Sequence, residues 1–348
     1  MHDSLDQRRR DWLCSLLGNP DARLSRASED ASFRSYWRVE SAGKTFVLMD
    51  APPGKEDLTS WLDIDARLRA AGLHAPQILG VDQSLGFVLM EDLGTRTYLP
   101  ELAHESVDAL YADAFDALLR MQTMVDVAGL PAYDRQRLLS EMELLPEWFL
   151  KRHLGHAISG EEREIIEAAF GFLVQAAEEQ PRAFVHRDFH SRNLMVVEHS
   201  PASDGHGVLV NPGIIDFQDG VIGPITYDLV SLLRDCYIEW DAERVAGWVE
   251  SYRLRLRSAH LLGPEVGNAQ FSRWFDLIGL QRHIKVLGIF CRLWYRDGKR
   301  QYLDDLPLCW SYAISVARRY PELHAFAALL ESALGERDIR ANRELPGA

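Results

Sequence analysis

The sequence predicts an α+β chain in two parts: a small β-rich region over residues 1–92 and a larger, mostly helical region over 93–348. Three observations predict it. Short runs rich in aromatic and β-branched residues crowd the first ninety positions. Apolar residues at helical spacing dominate after Gly94. Finally, 348 residues is long for one hydrophobic core.

Leu5–Leu17 carries apolar residues near helical spacing and stops at the breaker "GNP". Phe33–Val39 and Thr45–Met49 read as a β-hairpin turning through "ESAGK", with Pro52-Pro53-Gly54 ending the second strand. Leu58, Trp61, Leu62, Asp65 and Leu68 then fall on a helix that Gly72 closes. "PQILGVD" and "GFVLMEDLG" are two more strand-like runs, giving strand, strand, helix, strand, strand. Beyond them, Val107, Leu110, Tyr111, Ala114, Leu118 and Met121 form one helical stripe, and Glu162–Glu178 forms another helix. Two short strands interrupt the helices at "FVHRDFHSRNLMVV" and "GIIDFQDG", joined by the loop "HSPASDGHG". Helical patterning resumes to the end, most plainly over Trp274–Tyr295, and the polar tail after Arg337 is expected to fray.

Composition narrows the function classes. Apolar content of 47% and charged content of 26% belong to a water-soluble globular protein. A formal net charge of −14 argues against a nucleic-acid partner, which would need clustered Lys and Arg. No run of 18 apolar residues occurs, and the segment after Arg8–Arg10 is too short and polar for a secretory leader, so a cytoplasmic protein without membrane partners is expected. The four cysteines (Cys14, Cys236, Cys291, Cys309) lack C-x-x-C spacing and are expected to be buried, inert thiols.

The chemistry concentrates in "VHRDFHSRNLM" and "GIIDFQD". Asp188 and Asn193 stand five apart before an apolar strand, and Asp216 ends the next one. Two adjacent strands would bring Asn193 and Asp216 together as hard oxygen donors suited to Mg²⁺. Asp188 would then accept a hydroxyl proton as that oxygen attacks a phosphate. The spacing H-R-D-x-x-x-x-N is that of protein-kinase catalytic loops, and the following I-I-D-F makes a purely structural turn a poor account of it.

On these residues the chain resembles the aminoglycoside phosphotransferase/choline kinase branch of the kinase-like superfamily. The resemblance implies a bilobal, protein-kinase-like fold with a small β-rich N-lobe and a larger helical C-lobe. It implies ATP as donor, Asp188 as catalytic base, and Asn193 and Asp216 as Mg²⁺ ligands. It further implies that "VLMEDLG" is a hinge: the backbone of Glu91, Asp92 and Leu93, with Met90 beside it, meets the adenine. Five further stretches, "EDASFRSYWRV", "VLMDAPP", "LLPEWF", "FQDGVIGPITYDLVSLLRD" and "QRHIKVLGIFCRLWYRDGKRQYLDDLP", resemble the anomeric sugar kinases of bacterial cell-wall recycling. Those enzymes phosphorylate the C1 hydroxyl of N-acetylmuramate and N-acetylglucosamine. A small-molecule amino sugar is then the expected acceptor, and a uridylyltransferase the expected user of the product.

The chain departs from the kinase pattern on the phosphate side. Met49 stands about where a phosphate-binding lysine belongs, and "EDASFRSY" replaces the glycine-rich loop. Lys44, in the hairpin turn, and Arg34 are the candidate cations for the triphosphate; Arg34 reads equally as a solvated hairpin residue. Asp228, opening an apolar helix, reads both as a helix-capping carboxylate and, by the resemblance, as a brace for the catalytic loop.

For the acceptor, a lactyl carboxylate wants a cation. Lys285 and Arg292, on a helix that also holds His283, lie seven apart on one helical face with Arg282 and Arg296 flanking, and favour an anionic or neutral sugar over a polycation; the alternative is a plain solvated face. His190, two after Asp188, stands where protein kinases carry Lys and points to a small-molecule acceptor. Glu147, Asp219 and Tyr227 are further candidates by location, and Trp148 reads as sugar wall or core. Two other functions compete: an aminoglycoside- or choline-type phosphotransferase, and a non-catalytic nucleotide-binding pseudokinase suggested by the missing lysine.

Overall fold

The computed structural model describes residues 2–29, 33–197 and 210–342. By packing, the chain divides into two compact units, Met1–Ala117 with Arg192–Asp219, and Leu118–Ser191 with Gly220–Ala348.

The first unit is built on a five-stranded antiparallel sheet. Its strands are β1 (Arg23–Glu29), β2 (Ser35–Ser41), β3 (Lys44–Asp50), β4 (Ile78–Asp82) and β5 (Phe87–Glu91), in the order β1-β2-β3-β5-β4. Period-two alternation gives the sheet two distinct faces. Val39, Leu48, Phe87 and Leu89 form one, against Leu13 of helix α1 (His2–Leu17), with Trp12 on Phe87 at 5.6 Å. Arg9 of α1 reaches into this face and pairs with buried Asp50 at 2.6 Å. Val47, Met49, Val88 and Met90 alternate onto the other face. Helix α2 (Leu58–Ala70) buries Leu58, Trp61, Ile64, Asp65 and Leu68. Its C-cap is Ala71, and Gly72 follows at φ +74°, where a side chain would be strained. The unit continues through the single-turn α3 (Tyr98–Glu101) into α4 (Val107–Met124), whose C-terminal residues belong to the second unit. The hairpin β7 (Leu194–Met195) and β8 (Gly213–Ile214) completes it. The "HSPASDGHG" loop lies outside the described residues.

The second unit packs helices around one long central helix. These are α5 (Arg135–Met142), a π-helix over Leu145–Leu154, and α6 (Gly160–Glu178), then α7 (Tyr227–Leu233), α8 (Ala242–Ser258), α9 (Asn268–Tyr295), α10 (Leu306–Arg319) and α11 (His324–Leu334). β6 (Arg182–Val185) pairs antiparallel with β9 (Val221–Pro224). From Trp274 to Gly288 every residue of α9 is buried, so it is a core helix with no solvated face. A Cβ on Gly288 would lie 2.4 Å from the Leu144 backbone, so α9 crosses that segment too closely for any side chain there.

The elements expected from the sequence are present, but pattern reading missed β1 and β9 and took β6 and β7 for a single strand. "RLSRASE" is an edge strand with mostly polar residues and a register shift between Arg26 and Ser28, so it has no apolar alternation to find. The tail differs from expectation: Ile339 is buried and its carbonyl oxygen lies 2.6 Å from His153 Nε2, which docks the chain past Arg337. Residues 343–348 lie outside those described. No helix of the described residues is long and apolar enough to cross a membrane.

Candidate active site

In the second unit, β6 runs into His186, Arg187 and Asp188, and the turn is forced by Arg187 at φ +79°. Such a turn leaves amides without strand partners, and Asp228 supplies the acceptor. Its carboxylate takes the His186 N–H at 2.7 Å and the Arg187 N–H at 3.0 Å. Asp228 is fully buried, and burial, opposed by those two bonds, pushes its pKa up to about 7. It therefore braces the loop; it does not cap α7, whose N-cap is Thr226. Further along, Asp235 takes the Ser191 N–H at 3.0 Å and the Ser191 hydroxyl, and Tyr237 meets the His190 ring edge-on at 5.6 Å.

Asp188 is half-buried and titrates the other way. Burial pushes its pKa up, but Lys285, His190, Arg187 and Arg282 together hold it below the usual carboxylate range. The cations are themselves fixed. Glu141 accepts from Arg187, from Lys285 Nζ at 3.3 Å and from the Tyr133 hydroxyl. Lys285 also donates to the Tyr227 hydroxyl at 3.3 Å, and the Tyr133 and Tyr227 rings meet edge-on at 5.2 Å. Lys285 and Tyr227, expected as sugar contacts, are thus buried together beside the catalytic loop, and the solvated-face account of α9 does not hold. Arg292 is half-buried, and its Nε has no hydrogen-bond partner among the described residues. Glu147 is exposed and pairs with Lys151 at 3.3 Å one helical turn on; Trp148 is half-buried.

In the first unit, the β7–β8 hairpin delivers Asn193 and Asp216 side by side. The Asn193 carbonyl accepts the Ile215 N–H at 3.2 Å, and the Asn193 amide donates to Asp216 Oδ2 at 3.2 Å. Asp216 sits at φ +63°, and Gln218 donates to its Oδ1 at 2.9 Å. A carboxylate beside an amide fits a hard divalent cation once the amide turns its oxygen inward. Arg34 pairs with Glu56 at 3.1 Å and, with Ser60, Trp61, Gln218 and Asp219, lines a cavity of about 160 Å³. Asp219, expected on the sugar side, is therefore next to Arg34. Residues 30–32 of the expected phosphate loop lie outside those described.

Lys44 is exposed and pairs with Ser41 at the end of the sheet opposite Arg34. At about 3.3 Å per residue, β3 separates the two ends by roughly 20 Å. Lys44 sits toward the hinge end, where Arg38 grips Asp92 with two bonds at 2.7 and 3.0 Å. Burial works against the Asp92 charge, and the Arg38 bonds hold its pKa below the usual range. Glu91 accepts from the Gln77 N–H at 3.1 Å and lies 3.2 Å from His74 Nε2; Met90 and Leu93 are buried. Asp65 on α2 is buried with no partner for Oδ1 among the described residues, and burial, opposed by Arg69, pushes its pKa up to about 7. Motif reading did not reach Glu141, Tyr133, Asp235 or Ser191. Ser191 and Asp235 lie inside the quoted stretches without a role assigned there, while Tyr133 and Glu141 belong to no spaced pattern and only packing brings them to the loop.

A braced H-R-D turn with an ionised aspartate, and an Asn–Asp oxygen pair ending a hairpin, are the parts of a kinase-like phosphotransferase. Residues 23–262 match the family model described as a phosphotransferase enzyme family, and the chain belongs to that family. It is 43% identical over 314 residues to the N-acetylmuramate/N-acetylglucosamine kinase of Pseudomonas aeruginosa, covering 90% of this chain and 89% of that one. Its identity to the protein of the same name from Neisseria meningitidis is 39% over 335 residues, covering 95% and 96%. Among solved structures it is similar in fold to choline kinase from Cryptosporidium parvum, with a TM-score of 0.61 at 9% identity over 93% of this chain and 99% of that one. It is also similar to an aminoglycoside phosphotransferase in ternary complex with ADP and hygromycin B, with a TM-score of 0.55 at 15% identity over 90% and 98%. The chain is a nucleotide-using phosphotransferase with a kinase-like fold.

Proposed function

We propose that this phosphotransferase moves the γ-phosphoryl group of ATP to the anomeric C1 hydroxyl of N-acetylmuramate and N-acetylglucosamine. The supporting observation is identity of about two residues in five, over nine-tenths of the chain, to kinases of those two sugars. The surroundings of Asp188 agree with it: Lys285, Arg187 and Arg282 suit an anionic or neutral sugar and repel an aminoglycoside or a choline. An ionised aspartate in one unit and the Asn193–Asp216 oxygen pair in the other weigh against a non-catalytic nucleotide binder.

In this reading Asp188 accepts the C1 hydroxyl proton as that oxygen attacks the γ-phosphorus. Asn193 and Asp216 would hold Mg²⁺, which supplies neutralisation of triphosphate charge. Arg34 would leave Glu56 to contact phosphate in place of the absent lysine, and the Glu91–Leu93 backbone would meet the adenine edge. His190 would line the acceptor side, and half-buried Arg292 would pair with the lactyl carboxylate of N-acetylmuramate. Lys285 and Tyr227 act behind Asp188, through charge and packing. The product, a sugar 1-phosphate made in the cytoplasm during cell-wall recycling, suits a uridylyltransferase as its next user.

The test is ATP consumption with each sugar, its 1-O-methyl glycoside, kanamycin or choline as acceptor. Turnover is expected with the two free sugars alone. Turnover of the methyl glycosides excludes C1 as the acceptor position, and turnover with kanamycin or choline alone overturns the sugar assignment.

A further inference from the structure

The second unit holds a cavity of about 560 Å³ lined by α8, α9, α10 and the segment after α7, and none of Asp188, His190, Lys285 or Arg292 lines it. It is open because small side chains face one another there: Ala242 and Ala246 on α8, Ser272 on α9, Ser311 and Ser315 on α10. Residues 242 and 246, like 311 and 315, are four positions apart, so each pair lies on one face of its helix.

Charge closes the floor. Asp276 of α9 is 3% exposed and takes Arg234 at 2.6 Å, Arg319 at 2.5 Å and the Tyr320 hydroxyl at 2.9 Å. At the mouth Glu239 and Asp241 are exposed, and Asp241 already accepts the Arg244 N–H at 2.8 Å as the N-cap of α8. Three acids against two arginines leave no surplus of positive charge for a phosphate. With Asp276 and Asp241 committed, no pair of carboxylates remains for a polyamine. The remaining capacity is balanced. Glu239 accepts, the exposed side of Arg319 donates, and the hydroxyls of Ser311 and Ser315, both exposed, do either.

The aromatic walls are held in place. Half-buried Trp240 meets Trp248 edge-on at 5.7 Å, and the Arg244 guanidinium lies over the two rings at 5.5 and 5.1 Å. Tyr312 stacks on His283 at 5.0 Å, and its hydroxyl donates to the Ile238 carbonyl at 3.4 Å. Rings fixed in advance lose little freedom when a ligand arrives. A half-open indole beside matched donors and acceptors suits a ring with an apolar C–H face and a rim of hydroxyls. The volume falls within the roughly 300–1,000 Å³ of small-molecule sites.

We propose that this cavity is a second, non-catalytic site for a neutral saccharide of one or two rings. Trp240 and Tyr312 are its platforms, and Glu239, Ser311, Ser315 and Arg319 are its hydroxyl partners.

The test is calorimetric titration of the full-length protein with the methyl glycoside of N,N′-diacetylchitobiose, a neutral disaccharide whose C1 is blocked. Saturable binding is expected. Ala246→Trp fills the cavity from an exposed helical position and should weaken binding about tenfold or more, as should Trp240→Ala, which removes a platform. In Ala246→Trp the KM for N-acetylglucosamine should stay at the wild-type value. No saturable binding at millimolar concentration, or undiminished binding in both variants, overturns the proposal. A KM that rises in step with the weakened binding also overturns it, because the disaccharide would then occupy the acceptor site. Methyl glucuronide and methyl glucosaminide should bind more weakly than the neutral probe, and tighter binding of either overturns the neutral class. The titration contains no ATP, so a failed phosphorylation assay leaves its outcome intact. Unfolding curves confirm that each variant is folded, and Trp240→Ala carries the test by itself should Ala246→Trp not fold.

Discussion

Asp188 in the second unit and Asp65 in the first are both aspartates withdrawn from water, and they titrate in opposite directions. Around Asp188 stand Lys285, His190, Arg187 and Arg282, and its carboxylate stays charged. Asp65 has one bare oxygen and only Arg69 as counter-charge, and burial pushes it up to about 7. Asp228, near Asp188 and fully buried, has the same raised value although two N–H groups point at it. Burial alone therefore makes a neutral acid. Several cations held by their own acid, Glu141, make a base.

The largest effect should come from Asp188→Asn, which removes the base and leaves the shape: kcat should fall about 10³-fold or more, with ATP binding by calorimetry nearly unchanged. Lost nucleotide affinity would mean that Asp188 contacts the nucleotide instead.

Asp216→Ala should follow closely by removing a charged oxygen from the Asn193 pair. The concentration of Mg²⁺ needed for half-maximal rate should rise at least tenfold. A wild-type Mg²⁺ response would refute the ligand assignment.

Lys285→Met makes the Asp188 site more like that of Asp65. Without its largest counter-charge, the Asp188 pKa rises, and the acid limb of kcat/KM should move by about one pH unit to higher pH. A uniform loss of rate at every pH would reduce Lys285 to a packing residue. Unfolding curves check that the variant retains its fold.

Asp65→Asn should have the smallest effect and the opposite sign. A carboxyl with an unfolded value near 3.8 and a folded value near 7 binds its proton more tightly when folded, so stability falls as pH rises between those values. The amide should flatten that fall and stabilise the protein at pH 8 by on the order of 1 kcal/mol. Asp228 contributes to the same window, so the flattening is partial. Unchanged melting temperatures across the window would show that Asp65 is hydrated.

Much of the molecule was legible beforehand because its signals are local. The hairpin β2–β3 alternates, α9 repeats at helical spacing, and H-R-D with Asn five on carries its chemistry within eight residues. β1 had no such signal, being a polar edge. Nor did the docked tail, held among the described residues by the bond between His153 and the Ile339 carbonyl and by Arg337 donating to the Leu154 carbonyl.

Residue order by itself determined which side chains can do chemistry and which segments are helix or strand, because both follow from neighbours a few positions away. Tertiary structure decided which acids are charged and which cations are available. Lys285 read from the sequence as a sugar-facing cation of α9, with a solvated face as the alternative; it is buried against Glu141, which is far away in the chain. Desolvation and pairing depend on what surrounds a group in three dimensions, which spacing along the chain does not encode.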